Sequence, residues 1–369
     1  MADNLAWIES LSPWPEEFGL GRMRQLLAEL GDPQDAFRAV HVVGTNGKTT
    51  TTRMIAALLA AEGKRTGSYT SPHVTDWAER IQVNGEPADV DGALGRVRAA
   101  AEAAGATQFE ALTAAALGEF AASGVETAVV EAGLGGRLDA TNVVDAPVVV
   151  LTNVDLEHTD VLGETREEIA REKLGVVRPG ATAVLGEAEW EELAREAGAA
   201  AVLVTGRSNL ALALAAAESF LGKPVDAAPA EETSVPGRLE QVGASPLEIW
   251  DGAHNLAGLG YSLARLPART YVVAASILGD KDVDGMLAAL SALGETFVAT
   301  ASGNERALPA DDLATRAGRF FARTEAVFSP EAALERAREL AGPEGAVLVT
   351  GSLYLLADLA AVRPQAPVP

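Results

Sequence analysis

The chain has 369 residues, no cysteine and a formal charge of −23 at pH 7. That length exceeds one ordinary core and suits two α/β domains, while the missing cysteines exclude disulfides, thiolate catalysis and cysteine-held metals. The charge argues against nucleic acid or an anionic membrane as partner, so any anionic substrate must be held by local devices such as glycine loops, helix N-termini and metal ions.

Short Val-rich runs alternate with longer Ala- and Leu-rich periodic stretches, which predicts a mainly parallel sheet wrapped by helices. A strand over 39–43 leads into Gly44-Thr45-Asn46-Gly47-Lys48-Thr49-Thr50 and a helix over 49–62. A strand over 65–70 ends in Ser71-Pro72-His73, and a helix follows over 109–122. The next strand, 127–132, carries Glu131 at its end and opens the glycine-rich stretch 133–142. A strand over 148–154 runs into Asp155-Leu156-Glu157-His158, and helices are expected over 166–174 and 209–221. Ala, Pro, Glu, Thr and Ser crowd 227–236, which reads as a linker and divides the chain into domains 1–234 and 235–369. The second domain shows strands over 247–252, 271–276, 296–300 and 346–350, with a helix over 330–340. Residues 1–10 carry Asp3 and Glu9 and no apolar run, so they do not read as a signal peptide; no stretch looks able to span a bilayer, and a cytoplasmic setting is expected.

The loop after the first strand has the most specific chemistry. Its glycines let successive amide N–H groups face phosphate oxygens, the helix start adds its positive end, Lys48 can reach the β- and γ-phosphates, and the Thr49 hydroxyl can hold magnesium. Val42 stands where the usual spacing has a further glycine, so the loop is a shortened variant. Strand ends are where open α/β sheets collect ligands, which draws attention to Ser71, Glu131 and His158. Taken singly, each fits a helix cap or a solvated loop residue as well as a ligand; together, beside the phosphate loop, they point to a metal–phosphate site. Lys173, late in a charged helix, reads from its pattern as a surface lysine. Arg238 after a Pro-Gly turn and Asp251 after a strand fit either nucleotide contacts or a surface charge and a cap.

In this order, residues 44–49, Glu131, the His158 loop, Glu172-Lys173, Gly237-Arg238 and Asp251-Gly252-Ala253-His254-Asn255 resemble the Mur-type ligases. Within them the chain is similar over nearly its full length to the folylpolyglutamate synthase and dihydrofolate synthase family. The pieces that carry this are Phe18-Gly19-Leu20, Tyr69-Thr70-Ser71-Pro72-His73, Glu79-Arg80-Ile81, Phe109-Glu110, the stretch 133–142, His158-Thr159-Asp160 and Gly351-Ser352-Leu353-Tyr354. The resemblance implies an α/β fold with an N-terminal P-loop ATPase domain and a smaller C-terminal Rossmann-like domain. It implies ATP contacts at Thr45, Asn46, Gly47, Lys48, Thr49, Asn209, Arg238 and Asp251, and magnesium ligands at Ser71, Glu131 and His158. Lys48, Lys173 and His254 are the implied catalytic residues, Lys173 as the lysine that relatives carbamylate. Thr107, Gln108, Phe109, Glu110, Leu138, Asp139, Ala140 and Asn255 are the implied substrate contacts.

The implied reaction is ATP-dependent ligation of L-glutamate to a folate, and to dihydropteroate, through an acyl phosphate. A monomer with small-molecule substrates and no nucleic-acid or membrane partner is expected. Departures from the family pattern are Thr49-Thr50 where folate ligases have Gly-Ser, Leu256 where proline is usual, and a short stretch at 186–209. A peptidoglycan ligase would carry a uridine-nucleotide domain before the loop, and forty-three residues precede Gly44 here. A nucleotide switch without ligation would need nothing like the 251–255 run.

Overall fold

The computed structural model describes residues 3–362 and divides into two compact units, Met1–Thr233 and Ser234–Pro369. The first is built on an eight-stranded sheet. Its strands are β1 (Arg38–Val43), β2 (Thr66–Tyr69), β3 (Ile81–Val83), β4 (Glu86–Pro87), β5 (Thr127–Glu131), β6 (Val148–Leu151), β7 (Thr182–Leu185) and β8 (Ala201–Val204). They lie in the order β4-β3-β2-β5-β1-β6-β7-β8. From β2 to β8 every pairing is parallel, and β3 and β4 add an antiparallel edge.

Both faces of this sheet are covered, which explains the continuous apolar runs. Successive side chains on a strand point to opposite faces. Ala39, Val43, Ala128, Val130, Val149 and Leu151 therefore join one buried cluster, with the helices Val90–Ala104 and Gln108–Ala122. Val40, Val42, Val129, Val148 and Val150 join another, with the helices Lys48–Ala61 and Asn209–Leu221. The chain leaves β1 for β2 on one side and later returns to β6 on the other. The carboxyl end of β1 thus lies at the crevice where open α/β sheets bind ligands.

The second unit holds β9 (Glu240–Ala244), β10 (Leu247–Trp250), β11 (Tyr271–Ala275), β12 (Thr296–Ala299), β13 (Arg323–Ala326) and β14 (Ala346–Thr350). Their order is β13-β12-β11-β14-β10-β9, all parallel except β9. Two mainly parallel sheets wrapped by helices are the α/β class that the sequence resemblance implied. Two local expectations change. The strand expected over 148–154 stops at Leu151, because Thr152 and Asn153 bond to the loop after β1 instead. The stretch 227–236 is not all linker: Ala228–Glu231 is a short helix whose Ala230 is buried in the first unit's second cluster.

Candidate active site

β1 ends in Val43, and Gly44 and Gly47 take φ of 148° and 82°, a region that glycine enters without penalty. Space demands glycine as well: a Cβ on Gly47 would lie 2.5 Å from Asn209 Oδ1. The segment after β6 fixes the curl. Thr45 N donates to Asn153 O (3.0 Å), Asn46 N to Asn153 Oδ1 (2.9 Å), Thr152 Oγ1 to Asn46 O (2.8 Å) and Asp155 N to Thr45 Oγ1 (3.0 Å). Lys48 Nζ folds back over the loop, donating to Gly44 O (2.9 Å) and Thr45 O (3.2 Å). Thr45, Asn46, Gly47, Lys48, Thr49 and Asn209 are therefore brought together.

Glu131, buried at the end of β5, accepts from Thr49 Oγ1 (3.0 Å) and from the Ser71 amide (3.1 Å). A carboxylate beside two residues with hydroxyl groups is the hard oxygen set that magnesium takes, so this donor set fits the ion. Among the described residues no three His, Asp or Glu side chains converge to hold a metal. His158 is exposed, with φ of 47°, at the start of the short helix Thr159–Leu162. Its link to the loop runs through Glu157, which feels its charge and accepts from Lys173 Nζ at 2.7 Å.

Lys173 is 1% exposed, not the surface lysine that its charge pattern suggested. Its Nζ also donates to Gly44 O at 3.0 Å, placing it directly under the phosphate loop. Burial, opposed by Glu157 and aided by nearby Lys48, lowers its pKa and favours the neutral amine. Burial alone would raise Glu157, but Lys173 and Lys48 hold its carboxyl below the usual range.

The expected substrate residues fall into two roles. Thr107 and Glu110 form a capping box for the helix Gln108–Ala122, and Glu110 also takes a forked bond from Arg22 Nε (2.8 and 3.0 Å). Gln108 is tied to the backbone of Ile8 and Ser12. Phe109 instead closes on the glycine stretch: a Cβ on Gly133 would lie 2.5 Å from its ring, and its centroid is 6.0 Å from that of Tyr69. Asp139, between half-buried Leu138 and buried Ala140, accepts from Leu134 N (2.8 Å), Thr141 N (2.9 Å) and the Thr141 hydroxyl. Burial raises its pKa, against these bonds. His41 completes the chain, with Nε2 2.8 Å from Thr141 Oγ1.

In the second unit, Asp251 is buried and its carboxylate holds the turn together, accepting from Leu239 N (2.9 Å), Ala253 N (3.1 Å) and Ser262 Oγ (2.7 Å). Arg238 NH1 donates to Gly237 O (3.1 Å), and a Cβ on Gly252 would meet it at 2.7 Å. His254 Nδ1 sits 3.0 Å from Gly252 O, and Asn255 caps the helix Leu256–Leu263 through Gly258 N (2.7 Å). Arg238 and His254 thus both meet Gly252, while Asn255 stands at the start of the following helix. Sequence reasoning did not single out Asn153 and Glu157, although both stand in the run that follows β6.

A Mur ligase middle domain model matches residues 42–223, and a Mur ligase glutamate ligase domain model matches 237–353. The chain is 34% identical to the dihydrofolate synthase/folylpolyglutamate synthase of Mycobacterium tuberculosis, over 84% of this chain and 80% of that protein. The solved structure of E. coli FolC in complex with DHPP and ADP matches with a TM-score of 0.88 and 30% identity, covering 98% of this chain and 97% of the other. A folylpolyglutamate synthase/dihydrofolate synthase from Yersinia pestis, complexed with AMPPNP and Mn ion, matches with a TM-score of 0.86 and 32% identity, covering 97% and 96%. Identity at that level along nearly whole chains, with both Mur ligase domains met in order, means that the chain belongs to the dihydrofolate synthase/folylpolyglutamate synthase family of Mur ligases.

Proposed function

We propose that the chain uses ATP to join L-glutamate to a folate, and to dihydropteroate, acting as a cytoplasmic monomer. The observation that carries this reading is the set formed by Lys48 on the loop carbonyls, Thr49 on Glu131 and Lys173 beneath Gly44. Lys48 moves from those carbonyls to the β- and γ-phosphates when nucleotide arrives, and the loop amides face the phosphate oxygens. Thr49, Glu131, Ser71 and His158 would hold magnesium, which spreads the charge of the transferred phosphoryl group. Phe109, Asp139 and their neighbours line the folate side, with Arg238 and Asp251 on the nucleotide and His254 and Asn255 on the amino acid.

An oxygen of the folate carboxylate attacks the γ-phosphorus, giving an acyl phosphate and ADP; the glutamate amine then attacks the acyl carbon and phosphate leaves. Burial shifts the pKa of Lys173 downward, toward the neutral amine, which is the form that adds to carbon dioxide, loses a proton and becomes a carbamate anion. Such an anion would add a carboxylate-like ligand beside the loop.

Phosphate release is measured with ATP and magnesium while dihydropteroate, tetrahydrofolate and glutamate are added in turn. Release is expected only when a pterin substrate and glutamate are both present; release without glutamate overturns the reading. Lys48→Ala is expected to lower kcat by roughly 10²-fold or more. Lys173→Ala should also lose most activity. A fully active Lys48→Ala enzyme overturns the site assignment.

A further inference from the structure

Glu187 lies just beyond β7 and outside every role assigned above. Its Oε2 accepts from the Val154 amide (2.7 Å) and from Trp190 Nε1 (2.9 Å), while Oε1 accepts from Arg166 NH2 (2.9 Å) and from Arg207. Arg166 in turn donates from Nε to the Val154 carbonyl at 3.1 Å. The pair therefore grips both polar groups of one residue, Val154. Its chain neighbours on either side, Asn153 and Asp155, are the ones that hold Thr45 and Asn46.

The same carboxylate reaches two further parts of the site. Arg166 is the first residue of the helix Arg166–Leu174 that carries Lys173, and Arg207 stands two residues before Asn209, which packs on Gly47. Burial works against the charge on Glu187, yet Trp190, Arg207 and the Val154 amide hold its carboxyl below the usual range, so it stays an acceptor. A single carboxylate thus ties together the segment after β6, the Lys173 helix and the approach to Asn209.

We propose that Glu187 and Arg166 are positioning residues for nucleotide binding: they clamp Val154 and through it set the curl of the phosphate loop. The inference rests on the reading of residues 44–49 as the nucleotide loop. A loop whose amides are misplaced by a fraction of an ångström loses phosphate contacts, so the effect falls on ATP rather than on folate.

The test measures ADP binding by calorimetry, Michaelis constants for ATP and tetrahydrofolate, and melting temperature. Glu187→Ala and Arg166→Met are each expected to raise the ADP Kd and the ATP KM by roughly tenfold, with the tetrahydrofolate KM within about twofold of wild type. Glu187→Gln keeps an acceptor for the Val154 amide but loses the charge that anchors both arginines, and is expected to lose only about threefold. The double variant should be no worse than either alone, because both act through Val154. A Glu187→Ala enzyme with wild-type ADP affinity overturns the clamp, as does an equal loss for ATP and folate together with a large drop in melting temperature. Should Glu187→Ala fail to fold, Arg166→Met is judged by the same criteria. Lys48→Ala separates the two levels: normal ADP binding there sinks the loop reading and the clamp with it. Weak binding there beside normal binding in Glu187→Ala sinks the clamp alone.

Discussion

His41 faces the first unit's interior from β1, wholly buried, and its Nε2 meets the Thr141 hydroxyl, which in turn donates to Asp139. With that hydroxyl proton committed to a carboxylate, His41 must donate from Nε2, which it can do as a neutral ring. Burial, with the charge of Arg178 adding to it, lowers its pKa from 6.5 to about 3. Between those values the unfolded chain binds a proton that the folded chain does not. The stability it contributes is therefore complete above pH 6.5 and falls by about 1.4 kcal/mol per unit as pH drops toward 3. Urea melts at pH 7 and 4.5 should show wild type losing more than His41→Gln, by about 2–3 kcal/mol; equal losses would contradict a neutral buried ring. Such roles are poorly legible in sequence. The phosphate loop could be read because glycine, lysine and threonine follow a strand at fixed spacing. The burial of Lys173 could not, since the run Arg171-Glu172-Lys173 gives no sign of which side faces inward.

The helix Gln108–Ala122 is buried nearly all round, with nine of its fifteen residues inside, which calls for small residues between sheet and neighbouring helix. Alanine supplies them, with Leu112, Leu117 and Phe120 filling the wider gaps. Its N-terminus is the vulnerable end. Thr107→Ala removes the hydroxyl that accepts from Glu110 N and donates to Glu110 Oε2, and is expected to cost about 1 kcal/mol. Glu110→Ala also strands the Arg22 guanidinium and opens a buried site, so its cost should be about 2–3 kcal/mol. Denaturant midpoints check the order, and equal costs would mean that Arg22 adds nothing. Interior strands such as β1, β5, β6 and β14 could be read as Val-rich runs, because parallel strands buried on both faces leave no polar alternation. The ones missed are short or peripheral. β7 is four residues wedged near Gly180 and Gly186, β8 is largely exposed, and β13 carries Arg323 and Glu325, the latter paired with Arg336. At the edge of the second sheet β13 is short and charged, as exposed edges often are, and that erases its signal; β8, at the edge of the first, is a four-residue apolar run too short to stand out.

At the scale of the whole chain, each unit carries its own apolar core. Two clusters lie wholly within the first unit and one within the second. The contacts described around Gly44, Lys48, Thr49, Glu131, Lys173 and Asn209 are also made within the first unit. A core of that size in 233 residues is enough for independent folding. The fragment 1–233 is therefore expected to fold cooperatively; if the proposed nucleotide contacts of Arg238 and Asp251 hold, it binds ADP more weakly than the full chain. It should release no glutamate-dependent phosphate, because the matched glutamate ligase domain, 237–353, is absent. Calorimetry with ADP and the phosphate-release assay decide it. A fragment that melts without cooperativity would show that the first core needs the second unit. One that still forms the amide would show that His254 and Asn255 have no part in the reaction.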